Sequence, residues 1–400
     1  MDRPAAGPGP ATGGLTLAAV LHAGLPLFRR TYRLPRYQWK ILSAIQQCRT
    51  PALGGHRYQC GQCGREHFVP HGCGNRHCPQ CQGAQAGDWL DRQRAVLLPI
   101  PYFHVVFTLP HALNPLIQQN RRALYQLLFE TASQTLLQFG RQRFQAQIGV
   151  TAVLHTWGQK LGGHYHLHCI VTGGGWAEQG SGWVSSGRHY LFSVRALSKV
   201  FGGKFRAGLH ALHTHGKLEF HGEVATLATT KAWAAFGAML QSQKWVVYAK
   251  RPFAGPEQVL AYLSRYTHRV AISHRRLVAL TETAVTFGYK DYADGHRRKT
   301  LTLTLPEFVR RFCLHLLPER FVKIRHYGLL SNRQRQERIA RVRAALGVPS
   351  VPLVIQQPVQ PTATTETRQR CPYCGALALI WIEEIPRPHL RERAPIINTS

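Results

Sequence analysis

Residues 166–168 read His-Leu-His. On a strand, positions i and i+2 share a face, so both imidazoles point the same way and can hold one metal ion. His155 lies in the preceding apolar segment. If the intervening turn centres on Leu161-Gly162, His155 stands opposite His168, and a slip of two residues keeps it on the same face. Three histidines beside the glycine-rich stretch 173–183 make a site for a divalent cation. Imidazole ligation suits Mn²⁺ or another transition metal, whereas Mg²⁺ is held weakly and shares water and phosphate oxygens.

Residues 257–269 read EQVLAYLSRYTHR. Gln258, Tyr262 and Tyr266 fall at i, i+4 and i+8 on one helical face, apart from the apolar Val259, Leu260 and Leu263. Phenol hydroxyls among Arg265, His268 and Arg269 are well placed to attack a phosphodiester, and Arg265 or Arg269 can stabilise the extra transition-state charge.

Cys60-x-x-Cys63 and Cys78-x-x-Cys81 are separated by fourteen residues. Two such pairs predict a zinc ribbon in which four thiolates close a tetrahedral, structural site. His71, Cys73 and His77 lie inside the loop and are alternatives for one ligand or for a second site. Arg57, Arg65 and Arg76 surround the module and favour DNA contact, Arg76 from within it. Cys371-Pro-Tyr-Cys374 is half a ribbon, completed by His389 and a distant group or else a vestigial turn. Cys48, Cys169 and Cys313 stand alone and read as inert thiols.

Around these residues, 103–110, 150–157, 166–172 and 245–251 read as strands. Helices are expected from Asn114 to about Phe139, over 228–242, and over 306–317. Residues 277–290 and 299–305 alternate and predict an antiparallel sheet. Residues 186–225 form a basic, His-rich insertion without a clear assignment. The order predicts an α+β chain.

Fifty Lys+Arg against nineteen Asp+Glu give a net charge of +31. That balance argues against an enzyme of small neutral metabolites and implies a polyanion, nucleic acid first. No apolar run reaches the roughly 18 residues of a membrane span. The N-terminus lacks a basic secretory n-region. Clustered C-x-x-C pairs fit a reducing compartment, so the expected setting is cytoplasmic, nucleoid-associated when DNA-bound.

These segments together resemble a known family. CGNRHCPQCQ in the cysteine module, then PYFHVVFTLPHALNPL, LHTWGQ, HYHLHCIVTGGG, YLSRYTHRVAIS and FVRRFCLHLLPERFVKIRHYG, are similar to the insertion sequence ninety-one family of rolling-circle transposases. That family sits in the His-hydrophobic-His (HUH) endonuclease superfamily with relaxases, replication initiators and helitrons. The resemblance runs over about 30–345. It implies a palm-like antiparallel sheet carrying the histidines and facing a helix that carries the tyrosines, after a small zinc-ribbon-like domain. It implies that His166 and His168 bind a catalytic Mg²⁺ or Mn²⁺. It also implies that Tyr262 and Tyr266 nick and rejoin single-stranded DNA at element ends and target through 5′-phosphotyrosine links. The third ligand is a histidine in relaxases, matching His155, or a polar residue on the tyrosine helix in single-tyrosine transposases, matching Gln258; His155 is preferred.

The corresponding division is a tail over 1–29, a zinc-binding and DNA-binding domain over 30–99, a catalytic domain over 100–345, and a linker with the C-terminal CxxC segment over 346–400. A relaxase or replication-initiator nickase shares this chemistry, and a non-catalytic zinc-ribbon DNA-binding protein is the other class. The chain has no helicase P-loop, so unwinding falls to host helicase or replication machinery.

Overall fold

The computed structural model describes residues 14–82, 97–179, 182–187, 191–250, 258–259, 270–348 and 370–387. Helix α1 (Leu17–Thr31) begins where the Thr16 side chain accepts from the Ala19 N–H at 3.1 Å. It buries Leu17, Val20, Leu21, Leu25 and Phe28 at helical spacing. This corrects the expected tail over 1–29, because the apolar periodicity continues through Pro26. The proline removes one ladder bond, to a carbonyl at the exposed His22 where water can replace it. Helix α2 (Arg36–Gln46) follows, then a hairpin of β1 (Gly55–Cys60) and β2 (Glu66–Pro70).

The middle of the chain runs β3 (Tyr102–Thr108), α3 (Asn114–Gln119), α4 (Arg121–Phe144), β4 (Ala146–Trp157), β5 (Gly163–Ala177) and β6 (Trp183–Ser185). Then come α5 (Val194–Thr214), α6 (Thr230–Ser242) and β7 (Val246–Lys250). The unassigned insertion holds α5, capped by Ser193, with Leu197, Phe201, Phe205 and Leu209 buried on one face. The remainder is β8 (Leu277–Leu280), β9 (Ala284–Asp291), β10 (Arg297–Thr304), α7 (Leu305–Cys313), β11 (Ile324–Gly328), α8 (Arg335–Ala345) and β12 (Leu379–Ile385).

Among the described residues the strands form three antiparallel sheets, ordered β12-β1-β2, β10-β9-β8 and β11-β4-β5-β3-β7, with β6 added to β5. The fold is therefore α+β, as the element order predicts. In the central sheet Phe103, Val105, Phe107, Ala152, Leu154, Leu167, Cys169 and Val171 pack on Leu128, Leu136, Phe201 and Phe205 of α4 and α5. Strand alternation sends His104, Val153, His155, His166, His168 and Ile170 to the opposite face.

A second core joins α1, α2, Cys48, Cys78 and Cys81 to Leu161, the β8–β10 sheet and α7. The N-terminal module is thus not a unit closed at residue 99: it is too small to bury its own apolar faces and shares the core of residues 271–316. Nor are 346–400 only linker and appendage, since β12 pairs with β1. Among the described residues, no helix is long and apolar enough to cross a membrane.

Candidate functional site

β4 and β5 pair with His155 directly opposite His166 and Val153 opposite His168. This is two residues from the register expected for a turn centred on Leu161-Gly162, and the face is unchanged. Trp157 pairs with Gly163 at the turn, and a register irregularity lies between that pair and His155; within the turn Leu161 is fully buried at φ +61° and belongs to the second core. Its N–H donates to the Gly158 carbonyl at 3.1 Å, and its own carbonyl accepts from His315 Nε2 at 3.0 Å. The turn is further held by Arg311 Nη1 donating to the Lys160 carbonyl at 3.1 Å and by Arg276 donating to the Gln159 carbonyl.

The three imidazoles converge. His155 Nδ1 is 3.0 Å from His166 Nε2, which is 3.0 Å from His168 Nε2. All three rings are buried. His166 Nδ1 lies 3.0 Å from the His164 carbonyl; it carries the proton and donates there, leaving Nε2 as a lone pair. Burial, with the His168 and His164 rings nearby, holds the His166 pKa well below the ordinary histidine value, so the ring stays neutral. A neutral, oriented donor set with nitrogens 3.0 Å apart fits adjacent positions about one divalent ion at about 2.1 Å.

Sequence reasoning missed His104. Its Nε2 lies 2.9 Å from His168 Nδ1 and its ring stacks on His168. For His168 Nε2 to serve as a ligand, its Nδ1 must carry the proton and donate to His104. Burial first, then Lys250 and His166, push the His104 pKa down to about 3, which keeps the ring neutral and leaves one nitrogen able to accept. The strand pattern put a histidine on this face but could not say what it meets.

Tyr262, Tyr266, Arg265 and Arg269 lie outside the described residues. Gln258 and Val259 are helical, Gln258 exposed and Val259 buried. Val259 joins Tyr102, Val153 and Ile170 in a small apolar cluster on the histidine-bearing face of the sheet. Val259, three residues before Tyr262 in the sequence, therefore rests on the face that carries the trio.

The cysteines correct the sequence reading. Cys60, Cys63, Cys78 and Cys81 do not form one site. Instead Cys78 and Cys81 group with Cys48 and Cys73, while Cys60 and Cys63 group with Cys371 and Cys374. The hairpin separates the pairs: Cys78 belongs near its base, and six residues of β1 at about 3.3 Å each carry Cys60 to the far end. In the first group Cys48 Sγ is 3.5 Å from Cys78 and 3.6 Å from Cys81, and Cys73 is 3.7 Å from Cys81. Four thiolates about 2.3 Å from one zinc stand about 3.8 Å apart, so the group fits that ion. The Cys48 and Cys73 side chains lower the Cys78 pKa to about 4. Cys48 is thus not an inert lone thiol, whereas Cys169 and Cys313 are, both buried with raised pKa values.

Arg76, expected at DNA, is turned inward. Its guanidinium donates to the carbonyls of Phe321 and, at 3.1 Å, Pro318, fastening the cysteine module to the loop before β11. Next to it, His77 Nε2 accepts from the Leu317 N–H at 3.3 Å, and burial lowers its pKa to about 3.

An α+β chain of antiparallel sheets with a cysteine-built, zinc-binding N-terminal part is the class defined here. A family model described as "Transposase zinc-binding domain" matches residues 20–109, and one described as "Putative transposase" matches residues 149–338. The chain is 44% identical over 359 residues to "Putative transposase y4qJ" of Sinorhizobium fredii, covering 86% of this chain and 89% of the relative. It is 28% identical over 344 residues to "Transposase for insertion sequence element IS801" of Pseudomonas savastanoi pv. phaseolicola, covering 84% and 82%. No solved structure matches. The chain belongs to the insertion sequence ninety-one family of transposases.

Proposed function

We propose that this transposase works by a rolling-circle route, cutting and rejoining single-stranded DNA through Tyr262 and Tyr266. The observation that supports this reading is the convergence of His155, His166 and His168 on the sheet face against which Val259, three residues before Tyr262, is packed. A Mg²⁺ or Mn²⁺ held by the three histidines would supply charge neutralisation at the scissile phosphate. One tyrosine oxygen attacks phosphorus, the bond to the 3′-oxygen breaks, and the 5′-phosphate remains on the tyrosine while a 3′-OH leaves. Because the new ester preserves the phosphodiester's bond energy, the strand is rejoined by reversal at another 3′-OH. The second tyrosine cuts another strand while the first is loaded. Arg265 or Arg269 stabilises charge on the reacting phosphate, and His155 rather than Gln258 is the third ligand. The work takes place on cytoplasmic, nucleoid DNA, with host machinery unwinding the donor.

The test incubates the chain with labelled single-stranded element ends and Mn²⁺, then looks for a protease-sensitive adduct on a denaturing gel. Replacing both tyrosines with phenylalanine removes two oxygens and should abolish the adduct while sparing DNA affinity. His166→Ala or His168→Ala should abolish it too. An undiminished adduct in the double phenylalanine variant overturns the reading.

A further inference from the structure

We propose that Cys60, Cys63, Cys371 and Cys374 form a second structural zinc site, a ribbon assembled from the two ends of the chain. The site is independent of the strand-cutting chemistry, and its C-terminal half lies outside both matched domains.

The two half-sites are the same local structure. In the first, the Gly64 N–H donates to the Cys60 carbonyl at 2.8 Å and the Cys60 N–H to the Arg65 carbonyl at 3.0 Å. In the second, the Gly375 N–H donates to the Cys371 carbonyl at 2.9 Å and the Cys371 N–H to the Ala376 carbonyl at 2.8 Å. Gly64 and Gly375 have φ of +70° and +77°, the left-handed turn that follows each cysteine pair. The half-sites face each other crosswise, with Cys60 Sγ 3.6 Å from Cys374 and Cys63 Sγ 3.8 Å from Cys371. These are the edges of a tetrahedron of thiolates about 2.3 Å from one zinc.

The surrounding packing calls for such a staple. Among the described residues, the apolar cluster beneath this sheet has four buried side chains, Tyr58, Cys60, Cys371 and Leu379, with Val69, Ala378 and Trp381 half-buried against them, and two of the four are the cysteines themselves. A core that small does not hold a three-stranded sheet unaided. Yet β12 pairs with β1 from Gly55↔Ile385 to Cys60↔Leu379, and the Gly61 N–H donates to the Ala378 carbonyl at 2.8 Å. The ion would fix residues 371–385 along β1 and close an edge that is otherwise open to other strands.

The test is zinc content of the full-length protein with a thiol-protection readout. In a His166→Ala/His168→Ala background, which takes the histidine site out of the count, two zincs per chain are expected, falling to one when Cys371→Ser/Cys374→Ser is added. In the unaltered protein Cys63 and Cys374 are exposed, so as free thiols they would alkylate quickly. With zinc bound they should resist alkylation and become reactive together when the metal is stripped. One zinc per chain in the histidine-variant background, or rapid alkylation of Cys63 and Cys374 in metal-replete protein, or two zincs retained after the two serine changes, would each overturn the proposal.

Discussion

His104 Nε2 lies 2.9 Å from Nδ1 of His168, one strand over in the central sheet. The contact fixes the His168 ring so that its other nitrogen meets His166. Removing the acceptor leaves a buried N–H without this partner and frees the ring to turn. His104→Ala should weaken Mn²⁺ binding by about 10–100-fold, as loss of such supporting partners typically does. Titration calorimetry on the folded variant checks this, and His104→Gln, which restores an acceptor, should recover part of the affinity. Unchanged Mn²⁺ affinity in the alanine variant would show that His168 needs no such support.

Cys48 sits at the centre of the first thiol group, 3.5 Å and 3.6 Å from Cys78 and Cys81. Cys48→Ser should lose one zinc per chain and lower the melting temperature, because three of the four thiols are also part of the core that joins α1 to α7. Elemental analysis and thermal denaturation measure both effects.

Leu161 ties the hairpin turn to the second core. Leu161→Ala removes a fully buried side chain and should cost about 2–5 kcal/mol. The same variant loosens the register that sets His155 against His166, so cation affinity should fall with stability in chemical denaturation and Mn²⁺ titration.

His315 gives the fold a pH dependence. Burial lowers its pKa to about 4, while the unfolded value is near 6.5. Below about pH 6.5 the unfolded chain takes up a proton that the folded chain refuses, so stability falls as pH falls, until the folded group also titrates near 4. Above 6.5 the group contributes no slope. The loss should reach roughly 3 kcal/mol by pH 4. Melting temperatures from pH 8 to 4 should fall less steeply for His315→Gln than for the native chain.

The sequence by itself determined what local backbone geometry determines. A strand alternates every residue, so His166 and His168 had to share a face, and His155 stayed with them despite a register two residues from the expected one. The two C-x-x-C-G runs fold into the same local turn, so both half-sites at Cys60 and Cys371 were legible as half-sites. The α+β class followed from element order. The tertiary structure decided which half meets which. Cys60 pairs with Cys374 because β12 docks on β1, and Cys78 meets Cys48 because α2 ends at the hairpin base; no spacing along the chain encodes either docking. His104 was unreadable for the same reason, since its meaning lies in a ring on another strand. Arg76 looked like a surface cation until its carbonyl partners, more than two hundred residues onward, were in place. A side chain's direction is set by its own few residues, but its partner is set by where remote segments bury their apolar faces.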